Sequence, residues 1–424
     1  GLIFLTPGNG AGVDGPLIVD AGGEPVWVGP DSKQTVVGLG VVTVDGTPAL
    51  CWWEGENNNG IGSGEYVFAD ATYRVTRRLR GASGAKVDLH ELRLTANGTA
   101  LLFVAEPLKT DRATGRALSP PVLDCVVQEI DLATGALRFE WHSADHVDPA
   151  ESFAEPPTKA DTVYDYVHAN AIDVDADGHL LVSARNTSAI YKVDRASGEV
   201  IWRMGGKRSD FAIAADAAFA WQHDVRRRPD GTLTVFDNAH GAADDTSGHP
   251  SRAIVLETDE RAMTVRLVQE YPHPTPLIAS SQGNVQLLPN GDLFVGWGST
   301  PWFTEFAPSG DTVFDATFPA AKQSYRALRF PWSGRPVEPP AAAVERVSTG
   351  SLRVHASWNG HTGVATWEVL AGPSVSALRP VASAERTGFE TVIEAVTDEP
   401  LIAVRARDAA GTELGVTDPV AAPA

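Results

Sequence analysis

Apolar and polar residues alternate through most of this chain, and Asn-Gly or Asp-Gly dipeptides interrupt the alternation at intervals. HELRLTANGTALLFV, NAIDVDADGHLLVSA, HDVRRRPDGTLTVFD and GNVQLLPNGDLFVGW align on those dipeptides. Five residues before the dipeptide stand Leu92, Ile172, Val225 and Val285; three before it stand Leu94, Val174, Arg227 and Leu287. Period-two alternation on both sides of such a turn predicts a β-hairpin, with Asn-Gly or Asp-Gly supplying the positive φ angles of a tight type I′ turn. A second hairpin type lies between these: DLATGALRFEW from Asp131, DRASGEVIWRM from Asp194, APSGDTVFDATF from Ala307 and DAGGEPVWVG from Asp20.

An inner hairpin followed by an outer one, repeated roughly every 50 to 80 residues, gives four-stranded sheets arranged around an axis, a β-propeller. The turn at Asp45-Gly46 marks a fifth unit. LIFLTP, GPLIVDAG and EPVWVG at one end of the chain and SYRALRF near the other supply three strands plus one for a sixth. The expected fold is therefore all-β, a six-bladed β-propeller over residues 1–331 closed by strands from both ends. After Phe330 the composition changes. Residues 332–340 are proline-rich and cannot continue a central strand. Residues 341–424 return to short alternating strands, SLRVHASWN, ATWEVLAG, TVIEAV and LIAVRARDAAG, with Trp358 and Trp367 as core candidates. That spacing predicts an Ig- or fibronectin-III-like β-sandwich.

Charge narrows the partners. With 34 Lys+Arg against 54 Asp+Glu the net charge is −20, which disfavours nucleic acid and anionic lipid, so any bound anion is drawn by a local site. The longest apolar runs fall short of the roughly 20 residues a membrane span needs. Two cysteines, Cys51 and Cys125, exclude a disulfide framework and a cysteine-built zinc site; both read as buried strand residues. The first residues, GLIFLTPG, are already strand-like, consistent with a removed signal peptide or a trimmed start, and we expect a secreted or extracytoplasmic protein. Oligomeric state has no signature in the sequence.

Two stretches look like metal loops. DVDADG begins like an EF-hand, but Asp177-Gly178 fills the hairpin slot of the other three units and position twelve is Ala184, so the turn accounts for it. In NAHGAADDTSGHP, His240, Asp244, Asp245 and His249 read as a solvated connection between strands.

The column seven residues before each dipeptide holds His90, Asn170, His223 and Gly283, and His168 lies two residues before Asn170 on the same face. Eight residues after the dipeptide, Ala105, Arg185, Asn238 and Gly298 end the returning strands. In a propeller these slots converge on the central channel. Three histidines, an asparagine and an arginine there suit an anion gripped by a planar cation. A three-histidine zinc site is the competing chemistry, and a cation beside Arg185 would be repelled. We expect neither a metal nor a cofactor.

DLHEL, DYVHANAI, SARNTSAIYKVD, IWRMGGKRSDF, WQHDV, LTVFDNAHG, SSQGNVQLLPNG and SYRALRFPW together resemble the arylsulfotransferase family of β-propellers, in its actinobacterial and fungal branch. The resemblance implies transfer of a sulfuryl group from an aryl sulfate to a phenolic acceptor without a nucleotide donor. It places the transiently sulfated histidine at His223, and the groups that hold and polarise the sulfuryl oxygens at His90, His168, Asn170 and Arg185. Trp221, Gln222 and Asn238, beside His223 and in its partner slot, are expected to bind substrate. The loop disulfide of the studied bacterial enzymes has no counterpart. Two other readings use the same residues: an acid/base hydrolase, lyase or cyclase with no covalent adduct, and a noncatalytic anion-binding propeller.

Overall fold

The computed structural model describes residues 1–8, 14–239, 249–319 and 322–423. Among them the regular structure is nearly all strand, and the single α-helical segment is one turn, Ser143–His146. Its many antiparallel sheets are consistent with a propeller-like β fold. Residues up to Phe330 form six sheets. The second runs Thr35–Val44, Thr47–Asn58, Ile61–Ala69, Val75–Leu79 in sequence order. The third starts at Leu92–Leu94, the fourth at Ala169–Val174, the fifth at His223–Arg227 and the sixth at Asn284–Leu287. In the first sheet Leu328–Phe330 pairs antiparallel with Leu2–Leu5, Leu2 opposite Phe330, as expected of strands from opposite ends of the chain.

Six apolar clusters lie between these sheets, each shared by two that follow one another. Trp53 and Phe68 of the second meet Leu102 and Val126 of the third; Leu101 and Phe103, on the opposite face of the same strand, meet Ile172 and Tyr191 of the fourth. TALLFV is apolar on both faces because both are buried. The series continues through Trp202 with Val235, and Phe236 with Trp297. It closes with Phe294 of the sixth sheet on Ile3 and Leu5 of the first, and Phe4 on Trp52 of the second.

Two expectations are corrected. At the aligned hairpins Gly98, Gly178, Gly231 and Gly291 have φ of 73°, 89°, 88° and 92°, while the residue before each does not have positive φ. Each glycine N–H instead donates to the carbonyl three residues back, Gly98 to Thr95 and Gly178 to Asp175. These are type I turns closed by a left-handed glycine, which need only one residue in that region. Asp45-Gly46, with φ of 49° and 76° and Val44 opposite Thr47, carries the I′ signature, as does Asn59-Gly60, with φ of 54° and 96° and Asn58 opposite Ile61. The fifth sheet has an unexpected fifth strand, Ala212–Ile213, parallel to Thr264–Pro272; two residues are too few for a periodicity to register.

Beyond Ala341 the strands form a three-stranded sheet (Ala341–Ser348, Ser351–Ser357, Glu390–Val396) and a second sheet centred on Thr366–Gly372 and Leu401–Arg407. Trp358 and Trp367 lie in their shared core. This part is fastened to the first sheet: Asn359 accepts from the Val28 N–H at 2.8 Å and donates to its carbonyl at 2.9 Å. The Tyr73 hydroxyl donates to the Gly360 carbonyl at 2.7 Å.

The leading strands of the sheets pack on one another in turn, Leu92–Leu94 with Ala169–Val174, that strand with His223–Arg227, and that with Asn284–Leu287. Where they meet, Arg226 pairs with Glu91 (2.5 Å) and Asp224 (2.7 Å), and Arg326 with Glu91 (3.1 Å) and Asp224 (3.4 Å). Glu91, Asp224 and Arg326 each directly follow a residue of the site described next. Cys51 and Cys125 are both free and buried, as their strand positions suggested. Asp175 and Asp177 of DVDADG bind Lys192 at 3.0 and 2.6 Å, and Asp173 binds Arg93 at 3.1 Å. Those carboxylates serve as ion-pair partners flanking a turn. His240, Asp244 and Asp245 lie outside the described residues; His249 stands 3.7 Å from Asp237. No helix among the described residues is long and apolar enough to cross a membrane.

Candidate active site

A cavity of about 510 Å³ opens at one end of the leading strands. His90, His168, Arg185 and His223, which are 133 residues apart at the extremes (223 − 90), all line it. Two residues that begin the fourth and fifth sheets, His168 and Trp221, occupy the same repeat slot and share a left-handed backbone, φ 53° and 56°. Non-glycine residues held there cost on the order of 1 kcal/mol or more and cluster at functional sites.

The three histidines are held differently. His90 Nδ1 is 2.5 Å from Asp88 Oδ1, and His168 Nδ1 is 2.5 Å from Asp165 Oδ2. Burial works against ionising either aspartate, yet the charge and hydrogen bond of the paired histidine hold both carboxyls below their ordinary range. An ionised carboxylate only accepts, so each Nδ1 carries hydrogen and each Nε2 is the atom free for chemistry. The two rings meet edge to face with centroids 4.8 Å apart. His223 Nδ1 faces a neutral amide, Asn238 Oδ1, at 2.7 Å. The amide orientation is fixed, because Asn238 Nδ2 donates to the Ala279 carbonyl at 2.7 Å and the Gln282 carbonyl at 3.0 Å. His223 is therefore the Nδ1–H tautomer. Its Nε2 bears the lone pair and accepts from the Gln282 backbone N–H at 3.2 Å.

Burial pulls the His223 imidazole well below its ordinary pKa, and Arg185, His90 and His168 push the same way against the Asn238 hydrogen bond. Burial also lowers His168, outweighing the opposing effect of Asp165. The Arg185 guanidinium stacks on Trp221, 3.9 Å from the ring centroid. It makes no ion pair among the described residues, and its buried Nε has no hydrogen-bond partner. Burial brings it down to about 10, so it is a cation at neutral pH. A half-buried guanidinium with its donors uncommitted, facing a cavity, suits a tetrahedral or planar oxyanion.

Four expected site residues do not line the cavity. Asn170, fully buried, donates to the Gln222 carbonyl at 2.7 Å and ties the fourth sheet to the start of the fifth. Gln222, also fully buried, donates to Ser183 Oγ and to the Ala184 and Ala189 carbonyls at 3.1 to 3.2 Å. Asn238 orients His223, and Trp221 supports Arg185. Buried amides find backbone partners, and these are spent on bracing the residues that face the cavity.

Other residues that line the cavity or hold its histidines had weaker sequence signals. Asp88 and Asp165 sit inside the DLHEL and DYVHANAI motifs, and a carboxylate two or three residues from a channel histidine was the clue. Tyr325, from SYRALRF, lines the cavity with its ring 5.7 Å from that of His90. Asn57, Asn59 and Gly60 arrive on the hairpin between Thr47–Asn58 and Ile61–Ala69. Gly60, φ 96°, approaches so closely that a Cβ there would lie 3.3 Å from His168 Cε1.

A family model described as Arylsulfotransferase (ASST) matches residues 40–319. No curated protein matches the chain. Among solved structures, a protein of unknown function from Bacteroides caccae is 13% identical at TM-score 0.46, covering 78% of this chain and 99% of that one. Virginiamycin B lyase from Staphylococcus aureus is 12% identical at TM-score 0.35, covering 68% and 89%. A calcium-binding protein, regucalcin, from Agrobacterium tumefaciens is 13% identical at TM-score 0.39, covering 79% and 87%.

Proposed function

Because the chain belongs to the arylsulfotransferase family, we propose that it moves a sulfuryl group from an aryl sulfate to a phenolic acceptor through a sulfo-histidine on His223. The observation that carries this is the contrast among the histidines: His223 has a neutral partner on Nδ1, is held neutral by burial and presents a lone pair at Nε2. His90 and His168 instead have carboxylate partners on Nδ1.

In the first half-reaction Nε2 of His223 attacks sulfur, the N–S bond forms and the S–O(aryl) bond breaks. The leaving phenolate takes a proton from the His90–His168 pair. In the second half an incoming phenol returns a proton to that pair as its oxygen attacks sulfur, and the N–S electrons return to Nε2. A covalent intermediate divides one hard displacement into two and gives ping-pong kinetics. Arg185 bears on the sulfuryl oxygens; one such contact is worth roughly 10²–10³ in rate. Attack replaces the Gln282 N–H on Nε2 and leaves that N–H beside the sulfuryl oxygens. Asn170, Gln222, Asn238 and Trp221 act as supports.

On this reading the six sheets are the blades of a propeller over residues 1–331, followed by a linker over 332–340 and an Ig- or fibronectin-III-like sandwich over 341–424. The protein is secreted or extracytoplasmic. Intact-protein mass spectrometry after brief exposure to p-nitrophenyl sulfate, with phenol withheld, tests the mechanism. A sulfuryl increment on the wild type that is absent from His223→Ala and discharged by phenol supports it. Turnover of aryl sulfates with no adduct would move the assignment to acid/base catalysis by the Asp–His pairs, the reading favoured by the Gln282 N–H on Nε2.

A further inference from the structure

We propose that the active-site cavity has an apolar side chamber that takes a short aliphatic substituent on the aryl substrate; the substrate class rests on the sulfotransfer reading. A second cavity, of about 100 Å³, shares Val37, Leu89, His90 and Tyr325 with the first. The two spaces adjoin at these four residues, so the chamber borders the place where a reacting aryl group sits.

The chamber exists because the strand Thr35–Val44 lacks side chains where it passes the axis. Its pairing register shifts between Val37 and Gly40. Gly38, at φ 73°, has nothing within 4 Å of a Cβ position, and a Cβ on Gly40 would press on Leu328 Cδ1 at 3.0 Å. The remaining wall is carbon: Val41, Val42, Leu92, Leu328 and Phe330. Most polar groups at its edge are committed, although the Arg326 Nε has no hydrogen-bond partner among the described residues. Arg326 is paired with Glu91 and Asp224, the Tyr66 hydroxyl reaches the Asp88 carbonyl at 3.4 Å, and burial pushes the Cys51 thiol far up, so it stays protonated. Apolar cavities of about 150 Å³ bind benzene or xenon. One of about 100 Å³ suits a chain of a few carbons. Val41, Val42 and Leu92 also line a further cleft by the Asp45-Gly46 turn, where Asp45, Arg93 and Thr95 make the surroundings polar.

The test has two readouts on the full chain. The first is kcat/KM for phenyl sulfate and its para-methyl, ethyl and propyl derivatives; each methylene buried in such a chamber raises it about fourfold. Val41→Phe, which fills the space, flattens the series, and Cys51→Ala, which widens it, moves the steepest gain to a longer chain. The second is xenon pressurisation of wild-type and Val41→Phe crystals, with xenon expected in the chamber of the wild type alone. A flat wild-type series, or no xenon in the chamber, overturns the side chamber. Xenon bound with no turnover of any aryl sulfate overturns the substrate class instead, because the sulfotransfer reading itself has then failed.

Discussion

Asn238→Asp exchanges the neutral partner of His223 for a carboxylate at the same 2.7 Å contact. Two unit charges about 4 Å apart attract by about 4 kcal/mol at an effective dielectric near 20, or about 3 pKa units at 1.36 kcal/mol each. The wild-type imidazole is depressed by burial and its cationic neighbours, so its protonation limits the first half-reaction only at acid pH. Asn238→Asp brings that limb up towards or past neutrality, and the nucleophile spends itself as an imidazolium. The exchange also removes the Asn238 donors to the Ala279 and Gln282 carbonyls, a loss of about 1–3 kcal/mol for each group left unpaired. Asn238→Ala separates the two effects. It loses the same donors but adds no charge, and the Trp221 carbonyl, 3.1 Å from Nδ1, remains as an acceptor. Pre-steady-state release of nitrophenol across pH is the assay. We expect the acidic limb of Asn238→Asp to move upward by about 2–3 units while that of Asn238→Ala stays near the wild type with a reduced plateau. An unmoved limb in Asn238→Asp would refute the claim that neutrality of the partner is what keeps His223 nucleophilic.

Arg185→Met should lower kcat/KM for aryl sulfates by roughly 10²–10³, and Trp221→Leu by less, since it removes only the platform on which the guanidinium rests; steady-state kinetics of both variants check this. Asp165→Asn should remove the fixed acceptor on His168 and slow the steps that move a proton, so the loss should be smallest for aryl sulfates whose phenols are most acidic, which a leaving-group series measures. Glu91→Gln breaks contacts to two buried arginines and should destabilise by about 3–5 kcal/mol, read in urea unfolding. Stability should fall as pH drops through the ordinary histidine pKa: His168 and His223 are lowered in the fold, so the unfolded chain binds the extra protons. Thermal midpoints between pH 7 and 5 should show this, and the slope should flatten in His168→Gln.

The repeat register was legible because four of the six sheets repeat their leading hairpin at the same spacing, and that register brought His90, His168, His223 and Arg185 to one cavity. Turn type was not legible from Asn-Gly or Asp-Gly alone, since a left-handed glycine serves both a I′ turn and a type I turn with a bulge. Depth was the other blind spot. Asn170 and Gln222 occupy slots that converge on the axis, but a period of two says which face a side chain takes, not whether it reaches open space or a neighbour's carbonyl. The hairpin tip at Asn57–Gly60 reaches His168 across a sheet boundary, and no spacing within one repeat encodes that approach. Asp88 and Asp165 were visible as letters in their motifs; their meaning required the fixed orientation of the imidazoles they hold.

The pairing of Leu2–Leu5 with Leu328–Phe330 has a kinetic consequence. Thr6 and Tyr325, one from each end, line the same cavity, so the pocket is incomplete until the ribosome has released more than three hundred residues. Contacts of such sequence separation form late and slowly, and until they do the first sheet's strands are unpaired edges exposed to other chains. Asn359 and Gly360, which then bond Val28 and Val26 in that sheet, are synthesised later still. Recovery of turnover after dilution from denaturant would therefore time the closing of the ring, and the turn that carries Asn359 and Gly360 acts as the clasp on the first sheet.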